Sequence, residues 1–442
     1  MKTDNFLHKI NYPLLDKNNL HKDIGKLLVL APHPDDESLG CGGLINMLCN
    51  SNVEVYIIFI TDGSASHPDS IEFPSVKLAE IRKGEATSAC LALGVKPDHI
   101  LFFREKDSLL SKISESEANM LARNIAELIQ EKKIQSLAMP WRRDPHADHI
   151  ASYNIGVKAL QNLPQINKIE YPIWLWKNGK LSDWPMPDEV LPFKLNISKS
   201  LEIKIKAINK HRSQLGLVIK DAPKGFVLTK DLLEPFLGNF EYFFFSHKEN
   251  KQSITKTYFE KLYSKSKDPW DFSSSTYEKD KYKLSINFLG KNMFDRALEI
   301  GCSIGIFTKM LAKKCSSLLA IDISSIAVKC AKNYCKDVTN VEIKQTDIIK
   351  EFPAQSFDLI TLCEVGYYFE KIDFFYLLDT IYNSLNSNGT LLLVHWTPFV
   401  SEYPLTGLEV HNMTKKHYAD FAITLVEDEQ YDYFQISKWQ KD

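Results

Sequence analysis

Short, strongly apolar runs alternate with longer segments of helical periodicity over the first 160 residues. Residues 27–30, 53–60, 100–103 and 134–139 have the length and composition of strands buried on both faces. Between them, 75–93 and 114–132 read as amphipathic helices, and Ser114 with Glu117 opens the second with a capping-box pattern. Such alternation predicts a parallel sheet with helical crossovers. A helix is expected over 199–215. The pattern restarts near residue 297. Residues 297–300 lead into a glycine turn, and further strands are expected at 318–321, 341–344, 357–362 and 389–394. A polar, lysine-rich stretch between Ser246 and Gln252 separates the two patterns. The fold class expected is α/β, with two doubly wound domains over 1–250 and 255–442, each a mostly parallel sheet flanked by helices.

Composition narrows the function. With 442 residues and 44% hydrophobic content the chain can bury two large cores. The formal net charge of -2 removes any electrostatic reason to expect a nucleic-acid partner. The eight cysteines, at 41, 49, 90, 302, 315, 330, 335 and 363, form no Cys-x-x-Cys pair and fall mostly in apolar segments, as expected of core thiols in a reducing compartment. Residues 1–25 carry Asp4, Asp16 and Asp23 without an apolar core, and no apolar run reaches the length of a membrane span. A cytoplasmic protein is expected. Oligomeric state is not legible.

The chemistry concentrates at strand ends. Directly after 27–30 stand His33, Asp35, Asp36 and Glu37. The crevice beyond the carboxyl end of a strand is where α/β sheets carry their sites. His33 and Asp36 are three apart, so one turn aims both at a common centre while Asp35 points elsewhere. One His and one carboxylate make two-thirds of a catalytic zinc site. A further ligand is available from His146 and His149, which follow the strand 134–139. His67-Pro68-Asp69 lacks a second acid and lies in a Ser-rich loop, so it is set aside as a decoy. Between 165 and 195, Trp174, Trp176 and Trp184 either wall a pocket or pack in the core.

Ala31-Pro32-His33-Pro34-Asp35-Asp36-Glu37 with Pro145-His146-Ala147-Asp148-His149 resembles the paired motif of the PIG-L/LmbE family of zinc-dependent N-acetylglucosamine deacetylases, although Pro32 stands where the family often reads Ala-His directly. Arg82-Lys83-Gly84-Glu85-Ala86, Leu93-Gly94 and His211-Arg212-Ser213-Gln214 extend the likeness over roughly 20–250. The resemblance implies His33, Asp36 and His149 as zinc ligands, Asp35 as general base and His146 as oxyanion stabiliser. Amide hydrolysis demands these roles independently. Zinc lowers the pKa of water from about 15.7 to about 7, and a non-ligating carboxylate such as Asp35 takes the proton. A protonated His146, oriented by Asp148, would serve the developing alkoxide. Arg82 either holds a sugar hydroxyl or is a solvated helix residue. Two His and one carboxylate also suit ferrous iron.

In the second half, Glu299-Ile300-Gly301-Cys302-Ser303-Ile304-Gly305 joins a strand to a helix through a turn that lets backbone approach a ligand closely. Ser303 stands where a dinucleotide fingerprint has its middle glycine, so no pyrophosphate is implied. Asp322 ends the next strand, placed to bond ribose hydroxyls, and Asp347 follows the third, placed to meet an adenine amine. In this order and spacing the elements resemble a class I, Rossmann-like S-adenosylmethionine-dependent methyltransferase over roughly 255–442, which implies a closing hairpin at 422–439. Residues 258–263, 268–270, 275–282, 363–368 and 403–411 are further similar to the nodulation N-methyltransferase NodS. That likeness implies a cofactor-capping segment with Trp270 and Tyr277 as contacts, and a methyl acceptor near Glu364, Tyr367, His395 and His411. Glu364 either accepts the amine proton or caps a helix.

The two resemblances together imply a bifunctional enzyme. Zinc-dependent removal of an N-acetyl group from an amino sugar or glycoconjugate would expose an amine, and S-adenosylmethionine would then methylate it. Alternatives are a second domain that senses S-adenosylmethionine or methylates an unrelated small molecule.

Overall fold

The computed structural model describes residues 12–185, 189–246, 251–290, 293–400 and 402–442. The chain divides into two compact units, residues 1–247 and 248–442. Each is built on a seven-stranded sheet of matching strand order.

In the first unit β1 (Leu27–Ala31), β2 (Val55–Thr61) and β4 (Ser136–Pro140) are buried at every position, as their unbroken apolar runs require. With β3 (Ile100–Glu105) and β5 (Asn167–Tyr171) they pair in parallel. The order is β3-β2-β1-β4-β5, and β7 (Phe240–Phe245) and β6 (Leu191–Asn196) close the sheet in antiparallel register. Helices α1 (Asp36–Asn50), α2 (Ser75–Leu93), α3 (Glu115–Lys132) and α4 (Ala147–Ala159) supply the crossovers. The capping box at Ser114 and Glu117 forms as expected. The helix expected over 199–215 is shorter, α5 spanning Leu201–Ile208. Past it, His211 and Ser213 turn inward to Glu37 and Glu85, and these bonds replace the helical ones.

The second unit opens with α6 (Lys256–Lys265) and α7 (Thr276–Phe288). Its sheet runs β10 (Val341–Gln345), β9 (Cys315–Asp322), β8 (Phe294–Ile300), β11 (Phe357–Cys363) and β12 (Leu385–Trp396) in parallel, then β14 (Phe434–Lys441) and β13 (Ile423–Gln430) antiparallel. The last pair is the expected hairpin. On the outer strand β13, Glu427, Asp428 and Glu429 guard the edge against pairing with another chain. Helices α8 (Ile306–Leu311), α9 (Ser325–Tyr334), α10 (Lys371–Ser384) and α11 (Gly407–His417) complete the layers.

Strand order reverses between β1 and β4 in one unit and between β8 and β11 in the other. At such a point adjacent crossovers leave on opposite faces and a crevice opens at the strand ends. Both sequence-predicted clusters fall there. All eight cysteines are free thiols, six of them buried. Among the described residues no helix is long and apolar enough to cross a membrane.

Candidate functional sites

Pro32 fixes the first cluster: its carbonyl accepts from Thr61 N at 3.0 Å and from Thr61 Oγ1 at 2.8 Å, tying the end of β1 to β2. The chain then turns into α1 through Asp35, whose φ of 153° is one that side-chain-bearing residues rarely adopt. His33, Asp36 and His149 converge. His33 Nδ1 lies 3.2 Å from Asp36 Oδ2, His149 Nε2 lies 3.3 Å from each of these atoms, and all three residues are buried. Ligands about 2.0–2.1 Å from a tetrahedral ion stand about 3.3 Å apart. The three atoms therefore trace one face of such a tetrahedron. His146 also joins His33 and His149 in a group able to hold a metal.

Carboxylates surround the cluster. His33 Nε2 lies 3.3 Å from both Asp107 Oδ1 and Asp148 Oδ2. Burial opposes a charge on His33, but Asp107, Asp148 and Asp36 outweigh it and raise its pKa well above the ordinary value. Burial likewise opposes ionisation of Asp36, and His149 and His33 overturn it, holding the carboxyl well below the usual range. His149 Nδ1 lies within ion-pair distance of Asp144 Oδ1, at 3.0 Å.

Asp35 stays outside the triangle. Its Oδ2 accepts from Arg82 at 3.1 Å, and burial, partly offset by Arg82, moves its pKa up to about 6. Arg82 is 3% exposed, so it is not a solvated helix residue. Its other guanidinium bonds go to Gly63 O and Pro34 O, and Nε has no partner among the described residues.

Two expectations need correction. Burial first, then His33 and His149, push the His146 pKa down to about 4, a direction that disfavours the expected imidazolium. Nor does the Asp148 carboxylate orient His146. It bonds Ser108 N at 2.7 Å and faces His33, while His146 Nδ1 accepts from the Asp148 backbone at 3.2 Å. His67 belongs to none of the metal-binding groups found among the described residues. Sequence reasoning missed Asp107, gave no role to Asp144 and did not pair Glu37 with His211, which are buried and 3.1 Å apart. The available signal was position, because Asp107 follows β3 by two residues and Asp144 precedes His146 by two.

In the second unit the glycine turn follows β8. Gly301 has φ 85°, and a Cβ there would lie 2.1 Å from Val365 Cγ2, so only glycine fits. Gly305 caps α8 at φ 89°. Glu299 is buried with Oε2 lacking a partner among the described residues, and burial pushes its pKa up to about 8. Asp322 accepts from Ser303 N and Ser324 N, both at 2.9 Å, yet burial raises it to about 6. Ser303 sits at φ 49°, and its Oγ meets Tyr263 OH of α6 at 2.6 Å. Trp270 packs edge-on against Tyr263 at 5.7 Å, on the side of the glycine turn. Asp347 follows β10 and pairs with Lys350 at 2.8 Å. The orphaned Glu299 oxygen, the close-packed glycine turn and Asp322 at the strand end suit a nucleoside with free hydroxyls.

The acceptor-side expectations fare differently. Glu364, at φ 59°, has both oxygens engaged: Oε1 meets Lys281 Nζ at 2.6 Å, and Oε2 accepts from Tyr367 OH at 2.5 Å and Trp396 N at 3.0 Å. Burial would raise its pKa, but Lys281 and Tyr367 hold it below the ordinary value. It is an anchor rather than a free proton acceptor, and Tyr367 is committed to it. His395 and His411 are interior. His395 Nε2 accepts from Gly366 N at 3.0 Å, its Nδ1 lies 3.3 Å from His411 Nε2, and His411 Nδ1 meets Ser437 Oγ at 2.5 Å. No ring nitrogen of the pair is left for an acceptor. Tyr277 stands beside Trp396 and Tyr433, with Lys281 Nζ 5.5 Å over its ring. Trp396 and Tyr433 carried no sequence signal, and Lys281 lies in the NodS-like stretch 275–282 without a role of its own having been assigned.

Two doubly wound units, one with a His/Asp cluster shaped for a tetrahedral cation and one with a glycine turn and strand-end acids, define a two-site α/β enzyme. Residues 28–160 match the family model of GlcNAc-PI de-N-acetylase, PIG-L, and residues 249–396 match that of nodulation protein S, NodS. The chain thus joins an N-terminal PIG-L domain to a C-terminal NodS domain. It is 27% identical over 216 residues to the diacetylchitobiose deacetylase of Thermococcus kodakarensis, covering 47% of this chain and 76% of that protein. It is 30% identical over 106 residues to nodulation protein S of Sinorhizobium fredii, covering 24% of this chain and 49% of the relative. The chain spans about half the length of the nodulation protein S relatives it matches. Among solved structures it resembles the N-methyltransferase NodS of Bradyrhizobium japonicum in complex with S-adenosyl-l-homocysteine (23% identity, 42% of this chain, 97% of that chain, TM-score 0.38). It also resembles the N,N'-diacetylchitobiose deacetylase of Pyrococcus horikoshii (22% identity, 52% of this chain, 86% of that chain, TM-score 0.39).

Proposed function

We propose that the protein removes the N-acetyl group from an amino sugar or its conjugate in the domain of residues 1–250, and N-methylates the freed amine with S-adenosylmethionine in that of residues 255–442. The observation that carries the first step is the triangle of His33 Nδ1, Asp36 Oδ2 and His149 Nε2, with edges of 3.2–3.3 Å and Asp35 beside it. These three residues would hold zinc, which supplies Lewis acidity toward water and the amide carbonyl. Asp35, with one oxygen held by Arg82, receives the proton of the attacking water and later returns it to the leaving amine. With Nδ1 accepting from Asp148 N, the proton of neutral His146 is assigned to Nε2, which donates to the developing oxyanion.

In the second domain Glu299, Gly301, Gly305, Asp322 and Asp347, with Trp270 on the glycine-turn side and Tyr277 beside Trp396, would receive S-adenosylmethionine, whose sulfonium supplies an electrophilic methyl. A neutral amine is already a competent nucleophile, so alignment does most of the work. The engagement of Glu364, His395 and His411 within the protein fits that reading. The substrate class is supported by the likeness to relatives, among them the diacetylchitobiose deacetylase.

The test is mass spectrometry of products from N-acetylamino sugars and their nucleotide conjugates, with zinc or ferrous iron and with or without S-adenosylmethionine. Loss of acetyl followed by gain of methyl on one molecule supports the scheme. Deacetylation without methyl gain on any product would sink the second step, leaving a domain that senses the cofactor or methylates something else.

A further inference from the structure

After β5 the chain passes the metal-binding cluster along residues 173–175, and its backbone there is fixed by one side chain. Asp144 Oδ2 accepts from Ile173 N at 2.8 Å, Trp174 N at 2.9 Å and Leu175 N at 3.3 Å, while Oδ1 of the same carboxylate faces His149 Nδ1. Trp174 is therefore held in register with a proposed metal ligand. Its neighbours have other duties. Trp176 and Trp184 are each 6% exposed and pack edge-on against one another at 5.6 Å, in the core.

Trp174 is only partly buried, and its ring lies 6.3 Å from that of His146 with the planes 21° apart. Phe226, also partly exposed, braces it edge-on at 5.5 Å and is itself pinned by Phe226 N donating to Ser66 O at 2.7 Å. A partly exposed indole ring thus stands next to the imidazole that would meet the reacting carbonyl. A pyranose ring offers a face of C–H groups that packs on an aromatic surface, and an acyclic N-acetylamine offers none.

We propose that Trp174, braced by Phe226, is the platform on which the sugar ring of the substrate stacks while its acetamido group reaches the metal-binding cluster. The proposal deepens the deacetylase reading and rests on it. Trp174 selects cyclic amino sugars over acyclic N-acetyl compounds and contributes little to the chemical step.

The experiment compares wild type, Trp174→Ala and Trp174→Phe, as full-length, zinc-loaded protein, on N,N'-diacetylchitobiose and on N-acetylethanolamine, with calorimetric binding of the deacetylated disaccharide alongside. Trp174→Ala is expected to raise KM for the sugar and weaken disaccharide binding on the order of tenfold. Its kcat stays within about twofold and its rate on the acyclic amide is unchanged. Trp174→Phe should keep most of the binding. A merely structural role would depress both substrates together. Equal losses on sugar and acyclic amide, or unchanged sugar KM and binding in Trp174→Ala, would overturn the platform while leaving the deacetylase standing. Failure of the wild type to deacetylate any N-acetylamino sugar would overturn the reading beneath it, and the platform with it.

Discussion

Single residues at the two switch points carry separable duties. Asp35 touches the triangle only through the chain, so Asp35→Asn should lower deacetylation about 10²–10⁴-fold while zinc content, measured by atomic absorption, stays at wild-type stoichiometry. Asp148 acts through His33. Asp148→Asn should weaken zinc affinity about 10–100-fold in chelator competition, since an outer carboxylate orients the imidazole that binds. Asp322 gives a pH prediction with two opposite signs. Its folded value, about 6, lies above the ordinary 3.8 of an aspartate because burial disfavours the charge. Between those values the folded state binds more protons, so its contribution to folding stability is present at low pH and lost as pH rises through the window. Ribose hydroxyls need the ionised carboxylate. S-adenosylhomocysteine affinity, followed by calorimetry, should therefore fall as pH drops below about 6, over the range where the ligand-free unit gains stability from this group.

Elements are joined by buried charges as well as by apolar packing. Lys281 on α7 is almost fully buried and pairs with Glu278 one turn away and with Glu364 at the end of β11. Lys281→Met leaves two carboxylates unpaired in the interior, and loss of one partner of such a group costs about 3–5 kcal/mol. In a denaturant titration of the full chain this should appear as an earlier transition for the second unit, partly restored by adding Glu364→Gln. Elements were legible where periodicity is strong. The limits of α2 match those expected, and the capping box of α3 forms. The helix over 199–215 was overestimated because its apolar pattern continues while His211 and Ser213 are bonded to distant acids. Such long-range partners leave no mark on local periodicity.

At the scale of the whole molecule, two sheets with the same strand order each place a site at the reversal. Each unit has its own core, so the two activities are expected to fail independently. Asp322→Ala should still deacetylate, releasing amine that accumulates unmethylated, and Asp35→Ala should still methylate amine supplied from outside. Product analysis by mass spectrometry distinguishes these outcomes from a joint loss, which would mean that one site depends on the other.

The amino-acid sequence by itself determined the α/β class, the break near residue 250, and the strand-end positions of His33, Asp36, His146, His149, Gly301 and Asp322, because strand burial and turn chemistry are local and periodic. Tertiary structure decided the rest. Only folding shows that His33 meets Asp107 and Asp148 from separate strand ends, that Glu364 is consumed by Lys281, that His395 and His411 face inward, and that Trp174 alone of the three tryptophans at 174, 176 and 184 stands beside His146. These are contacts between residues far apart along the chain. Their geometry is set by how sheets and helices pack, which spacing alone cannot encode.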